Sequence, residues 1–305
     1  MKVKVIINPT AGRETIKQPL EGLINRLEQE GVISQSYLCY TTTQQNARVI
    51  ASDESTLDYD VLLVAGGDGT ANQALNGLLE AGYQVPLALL AGGTVNDFAT
   101  ALQLPCNVEE MEKLLRSHRV EEVDVGQVND QYFLNVCAGG LLTEVAYTTP
   151  SKLKTLLGRL AYVLTGIVSA PKNLLNPRPF RFVTPSEVIE EEILLFMVGN
   201  SRSVGGFENI MPLASVQDGM LDLLMIRSVP RSIADIPSVV ALFSQMHTGG
   251  HLNSPIIYYR QVKQVEIECL DGKPVVLDHD GEQGLHLPAL IRSVPRKIKL
   301  LLPNS

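Results

Sequence analysis

The stretch LLVAGGDGTANQAL, residues 62–75, decides how this chain is read. Leu62–Ala65 is a continuous apolar run with no polar alternation, the pattern of a strand buried on both faces of a parallel sheet. Ala71, Ala74, Leu75, Leu78 and Leu79 then follow the i, i+3, i+4, i+7, i+8 stripe of a helix that faces a core. Between the two lie Gly66, Gly67, Asp68, Gly69 and Thr70. The glycines predict backbone angles that a β-carbon forbids and a ligand that comes close to the chain. Amides ahead of a helix beginning near Thr70 carry the positive end of its dipole and make an anion site, phosphate being the usual anion. Asp68 would repel a bare phosphate, so its carboxylate suits Mg²⁺ carried on one. The alternative is a tight turn with Asp68 as helix cap.

The same punctuation occurs twice more. Val3–Ile7 is followed by NPTAG, and Leu87–Leu90 by AGGTVND. Leu20–Leu27 is a second, weaker helical stripe. A strand–helix alternation of this kind predicts an open α/β sheet. Three loops rich in Gly, Thr, Asn and Asp then gather at the carboxyl edge of one sheet, where open α/β folds bind ligands. There is no GxxxxGK[ST], and GGDGT lacks the GxGxxG spacing. Residue types alone therefore reach a nucleotide or phosphorylated ligand.

From about Gly126 the pattern changes to short β segments. QVNDQYFLNV reads as two strands around an Asn129–Asp130 turn. Further strands are expected at Phe180–Val183, Ile193–Val198, Leu221–Ile226, Val262–Cys269 and Val275–Leu277, with a turn at Asp271–Gly272. The expected architecture is α/β plus all-β: an N-terminal open α/β nucleotide-binding domain and a C-terminal antiparallel β-sandwich domain. The boundaries fall at 1–125 and 126–289.

Composition bounds the function. The chain has 305 residues, is 45% hydrophobic and 19% charged, and carries a net charge of −8. That suits two globular domains and disfavours nucleic acid as a partner. Cys39, Cys106, Cys137 and Cys269 have no CxxC spacing and read as small buried apolar residues. MKVKVIINP enters a strand directly, without a signal-peptide core. The apolar uncharged stretch Leu160–Pro171 is too short to span a bilayer. The expected location is cytoplasmic. Ser151–Ser186 has no Asp or Glu but carries Lys152, Lys154, Arg159, Lys172, Arg178 and Arg181. It is either a core-facing helix with a solvated basic face or a basic amphipathic surface that meets anionic lipid. His118, His247, His251, His279 and His286 show no metal spacing, and His279 and His286, which flank DGE, read as solvated loop residues. Glu190–Glu192 reads as an exposed turn.

GGDGT at 66–70, GGTVNDFA at 92–99 and NPTAG at 8–12 resemble the diacylglycerol-kinase catalytic family, and most closely its bacterial soluble lipid kinases. VDVG at 123–126, AGGLLTEVAYTTPSKLKTLLG at 138–158, GGFENIMPLASVQDGMLDL at 205–223 and DGE at 280–282 extend the resemblance over nearly the whole chain. GGDGT by itself is shared with NAD kinases and phosphofructokinases. Two places depart from the family pattern: Ala91 and Gly92 stand where proline plus a larger residue is common, and Arg13 where lysine is frequent.

The resemblance implies ATP as co-substrate, held by Asn8, Pro9, Thr10, Ala11, Gly12, Thr41, Gly66, Gly67, Asp68, Gly69, Thr70, Asn72 and Thr94. It implies an acidic network of Asp68, Asp97 and Asp124 near Mg²⁺ and the phosphates. It implies a structural Mg²⁺ on Asp218 and the backbone carbonyls of Ser215 and Met220, and Glu282 as general base. It also implies that the segment 290–305 returns to the first domain. The expected reaction is transfer of the γ-phosphoryl group of ATP to the hydroxyl of diacylglycerol or a similar lipid alcohol, at a membrane surface reached peripherally. A homodimer is compatible with this reading. The competing readings are an NAD-kinase-like kinase of a soluble substrate and a nucleotide- or lipid-binding protein without turnover. Intact Asp68, Asp97 and Glu282 argue against the last.

Overall fold

The computed structural model describes residues 1–11, 16–53, 58–140, 177–227, 245–246 and 248–304. The chain divides into two compact units, Met1–Val123 with Arg296–Ser305, and Asp124–Pro295.

Unit 1 runs β1 (Lys2–Ile7), α1 (Lys17–Gln29), β2 (Gln35–Tyr40), α2 (Ala47–Ser52), β3 (Val61–Gly66), α3 (Asp68–Glu80), β4 (Leu87–Ala91), α4 (Asp97–Ala101) and α5 (Val108–Arg116). Its parallel strands stand in the order β2-β1-β3-β4. Every residue of β3 and β4 is buried, as an apolar run without alternation requires. Val3, Val5, Leu63, Ala65, Ala88 and Leu90 form one core with Leu20, Leu23, Ile24 and Leu27 of α1 and Met111, Leu114 and Leu115 of α5. On the opposite face of β1, fully buried Lys4 donates from Nζ to the Ile50 carbonyl at 2.7 Å, near the C-terminal end of α2. A cation there suits the negative end of the helix dipole.

Two strands cross the division between the units: β5 (His118–Val128) and β16 (Ala289–Pro303). The distal part of β16 pairs parallel with β4 at Leu300 and Leu87.

Unit 2 adds β6 (Gln131–Phe133), β7 (Val136–Gly140), β8 (Arg178–Val183), β9 (Val188–Ile193), β10 (Leu195–Gly199), β11 (Leu221–Ile226), β12 (Ile257–Val262), β13 (Gln264–Cys269), β14 (Val276–His279) and β15 (Glu282–His286). One antiparallel sheet has the order β12-β11-β10-β7-β14-β15, and β13 pairs β8 and β16 in the other. A core of Phe180, Phe182, Phe196, Val198, Leu223, Ile267 and Leu277 draws on both sheets. Phe180 and Phe182 each meet Phe196 edge-on, with centroids 5.7 Å apart.

The structure corrects several expectations. Ile193–Val198 and Val262–Cys269 are each two strands, broken at Leu194 and Lys263. The strands on either side of each break belong to different sheets. Leu194 stays buried through its corner, so the apolar run gives no sign of that break; at the other corner Lys263 and Gln264 are both exposed, two polar residues in a row that interrupt the alternation. Glu190–Glu192 lies in β9 and forms no turn: Arg181 pairs with Glu190 at 3.5 Å and Arg227 with Glu191. Of the cysteines only Cys137 is buried; Cys39 and Cys269 are half-buried and Cys106 is exposed. His251 is fully buried, with Nε2 2.8 Å from the Ile210 carbonyl. His279 is also buried, since β14 carries it into the sheet. Lys152–Lys172, Gly12 and His247 lie outside the described residues. Arg178 and Arg181 lie in β8, where they face Asp271 at 2.9 Å and Glu268 at 3.3 Å. The Arg178 guanidinium holds the Asp271 carboxyl well below the usual carboxylate range.

Candidate functional site

In unit 1 the strand register brings three of the loops named above to one edge. Ile7 stands opposite Ala65 and Tyr40, and Gly66 opposite Ala91. The residues that follow each strand are stitched together by backbone hydrogen bonds. The Asn8 amide donates to the Ala65 carbonyl at 2.9 Å, Thr41 to Ile7 at 2.9 Å, and Gly92 to Gly66 at 2.7 Å. The Asn8 side chain donates from Nδ2 to the Thr70 hydroxyl at 2.9 Å. Its Oδ1 accepts from the Thr10 amide at 3.1 Å and the Thr10 hydroxyl at 2.9 Å. Asn96 bridges its own loop, accepting from the Gly93 amide at 2.8 Å and donating to the Gly93 carbonyl at 2.9 Å. Pro9 and Ala11 are half-buried and Thr94 is exposed on these loops.

Helix α3 begins at Asp68, earlier than Thr70, with Gly67 as N-cap and no side-chain cap. Asp68 therefore sits in the first turn, where its carboxylate faces the positive dipole end; it is not the cap. The glycines are needed for a different reason from the one expected. Gly67 has φ −88° and ψ −178°, extended backbone open to any residue. What excludes a side chain is proximity. A β-carbon on Gly67 would lie 3.2 Å from the Gly93 Cα, and one on Gly66 2.6 Å from the Thr70 Cβ. The GGDGT and AGGT loops touch backbone to backbone. The result is a low, amide-rich rim at the head of a 13-residue helix, a shape that accepts phosphate oxygens. Asp97 is buried at the start of α4, after Asn96 in the left-handed region at φ 56°. Asn72 is buried in α3, where its Oδ1 accepts from Asn76 Nδ2 at 3.1 Å.

In unit 2 the structure ties two predicted sites to each other. Asp124 is fully buried in β5, and its Oδ2 accepts from the Gly219 amide at 2.7 Å. Its own amide donates to the Val216 carbonyl at 2.7 Å. Asp124 thus holds the loop that carries Ser215, Asp218 and Met220. Asp218 is exposed; its Oδ1 accepts from the Met220 amide at 2.9 Å, and Gly219 turns the chain at φ 72°. One carboxylate with neighbouring backbone carbonyls is an all-oxygen donor set and fits a hard cation whose remaining positions are filled by water. Among the described residues no group of three or more His, Cys, Asp and Glu gathers as a metal-binding set.

Behind that loop lies Asp222 of β11, 1% exposed, which accepts from the Tyr259 hydroxyl through Oδ1 and has no partner at Oδ2. Burial pushes its carboxyl up to about 6, aided by the Asp218 charge and opposed by the Tyr259 bond. An acid whose value is raised in the fold contributes stability that is fully present below about pH 4 and lost as pH rises through about 6. Asp222→Asn keeps the Tyr259 bond and cannot ionise. It is expected to melt with the parent near pH 4 and above it near pH 8, in thermal scans run with a chelator. A difference in Tm that ignores pH would reject this.

Glu282 opens β15 directly after the Asp280–Gly281 turn, whose residues have φ 50° and 87°, and it is half-exposed. Asp280 fixes that turn. Its buried carboxylate accepts from the amides of Leu134 at 2.6 Å, Asn135 at 3.0 Å and Val136 at 2.9 Å. Asn200, fully buried, donates to the carbonyls of Asp124 and Leu134, both at 2.9 Å. Asp280, Asn135, Asn200 and Asp222 are the supporting residues that sequence reasoning missed. Asn135 and Asn200 stand within or beside apolar strands, the only signal available. Asp280 was visible in DGE without any hint that it is structural.

The model for the diacylglycerol kinase catalytic domain matches residues 2–128, and that for a YegS C-terminal NAD kinase beta sandwich-like domain matches residues 138–302. A diacylglycerol kinase of Staphylococcus saprophyticus is 33% identical over 303 residues, with 99% of this chain and 96% of the relative covered. One of Bacillus subtilis is 34% identical over 304 residues, covering 99% and 97%. The solved structure of a diacylglycerol kinase from Bacillus anthracis has a TM-score of 0.77 at 28% identity, covering 99% of this chain and 96% of that one. The glycine-rich strand ends fall within the first matched region and the DGE hairpin within the second, and the similarity runs the length of the chain: it belongs to the diacylglycerol kinase catalytic-domain family and is a kinase.

Proposed function

We propose that this kinase transfers the γ-phosphoryl group of ATP to the hydroxyl of diacylglycerol or a similar lipid alcohol, giving phosphatidic acid or its analogue. The observation that carries the reading is the edge of unit 1, where Asn8, Thr41, Gly66, Gly67 and Gly92 follow strands held in register and the head of α3 opens beside them. Asn8–Ala11, Thr41, Gly66–Thr70, Asn72 and Thr94 are the proposed nucleotide contacts. Backbone amides meet the phosphates there, and Asn8 and Thr70 brace each other. Mg²⁺, when bound, offsets the charge on the phosphates. Asp68, Asp97 and Asp124 are assigned to orient the charged groups around them. Ser215, Asp218 and Met220 are assigned to a structural cation that stiffens their loop. Glu282 takes the proton of the lipid hydroxyl as its oxygen forms the new bond to phosphorus and ADP leaves.

An acceptor with two acyl chains must be met at a lipid surface, and the acid-free stretch 151–186 is the part of the sequence suited to it. No helix among the described residues is long and apolar enough to cross a membrane. The test is ATP consumption with diacylglycerol micelles, with NAD and with neither. Turnover that requires the lipid supports the reading, and turnover with NAD alone replaces it with a soluble-substrate kinase.

The loop cation has its own test. Asp218→Ala is expected to remove the rise in Tm that Mg²⁺ gives the parent and to lower activity several-fold. A variant that keeps both removes the cation from this loop.

A further inference from the structure

The β14–β15 hairpin carries a histidine for which the reaction proposed above has no use. His279 ends β14 and is 6% exposed, and its Nδ1 is buried without a hydrogen-bond partner. Leaving a buried polar nitrogen unpaired destabilises a fold, because the group gives up its bonds to water and gains none in return. Native chains rarely keep such a group, and where they do it calls for an explanation.

The register supplies one. His279 stands directly opposite Glu282 across the hairpin, and opposite Cys137 of β7 on its other side. Directly opposed residues of antiparallel strands project on the same face, with β-carbons roughly 4.5–5.5 Å apart. The imidazole and the carboxylate therefore emerge side by side. The two residues between them have little freedom, because Asp280 is pinned by three backbone amides.

Among the described residues, those beside His279 in the strand register and along the chain that titrate are Cys137, Asp278, Asp280 and Glu282. Burial pushes the Cys137 thiol well up, so it stays neutral. Asp278 is next to His279 in the strand and so projects on the opposite face; its Oδ1 accepts from the Gly281 amide at 2.9 Å. Asp280 lies in the turn. Glu282 is the carboxylate that shares the face of His279.

We propose that His279 is a positioning residue for Glu282: its ring N–H donates to the carboxylate during turnover and holds it in the orientation from which it accepts the substrate proton. This rests on the assignment of Glu282 as base. Hydrogen bonds of this kind are often long without substrate and tighten when it binds.

The experiment pairs His279→Leu with His279→Asn. Leucine fills the space without a polar atom, and the Asn Nδ2 stands near the position of Nδ1. The leucine variant is expected to keep its Tm and its KM for ATP while kcat falls roughly ten- to hundredfold, the scale of a misplaced catalytic group. Asparagine should restore most of the loss. A leucine variant with kcat within about twofold of the parent overturns the proposal, as does an asparagine variant as slow as the leucine one. Nitrogen-15 NMR of the His279 ring at one fixed pH separates this inference from the proposed function. The resonance of the ring N–H is expected to move in Glu282→Leu, which removes the acceptor. An unmoved resonance overturns the pairing whether or not the parent turns over lipid, whereas a parent inactive on every lipid alcohol overturns the proposed function and leaves the pairing to the NMR.

Discussion

Glu282→Gln is expected to lower kcat by about 10²–10⁴-fold, the contribution of a positioned carboxylate that accepts a proton in the transition state. The substitution preserves size and hydrogen bonding and removes only basicity. A lipid hydroxyl is a poor nucleophile while it holds its proton, so the loss falls on the chemical step. The hairpin should survive, because its turn is held by Asp280 and not by Glu282. ATP affinity, measured by calorimetry, should stay near that of the parent. A variant whose single-turnover rate stays within about threefold of the parent removes Glu282 as base, since a base at this step cannot be that small a term. Attention would then pass to Asp68 and Asp97.

Gly67→Val is expected to abolish ATP binding in a chain that remains folded. Even a β-carbon at this position meets the Gly93 Cα at 3.2 Å, a contact with backbone and not with a yielding side chain. Valine adds two further carbons at the rim where phosphate oxygens would approach, and its stiff χ1 cannot turn both away. The AGGT loop must move or the anion must be excluded, and either outcome removes the site. Loss of affinity of about 100-fold or more is expected, at least 2.7 kcal/mol, with the circular dichroism spectrum unchanged. Unaltered nucleotide affinity in the folded variant would sink the assignment of this edge to phosphate. Gly67→Ala, with the β-carbon alone, should fall between the two.

The fold was legible where a residue pattern reports its environment directly. Val61–Ala65 and Leu87–Leu90 are buried on both faces and read as uninterrupted apolar runs, so the parallel sheet and the common edge of its loops could be inferred. The break at Leu194 could not, because that corner remains in the core, whereas the exposed pair Lys263–Gln264 is a local sign of the second break. The start of α3 was misplaced by two residues because helix caps depend on backbone geometry, and Gly67 caps without a side chain. The need for Gly67 was read as a torsion and proved to be a contact with Gly93, some 26 residues away in sequence. Asp280 and His279 share the same limit. Their roles come from strand register and from amides of a distant segment, and no local spacing encodes either.

The distal part of β16 bears on the order in which the chain can be completed during synthesis. Unit 2 is one continuous segment, Asp124–Pro295, whereas unit 1 needs Arg296–Ser305 from beyond it. Strand β4 has β3 on one side and gains β16 on the other only once Leu300 has been made. Until the ribosome has passed all of unit 2, β4 is an open edge of five apolar residues, LALLA, without a charge or proline to deter another chain. A nascent chain stalled before residue 296 would therefore be a target for holding chaperones and prone to aggregate, although most of its sheet is already encoded.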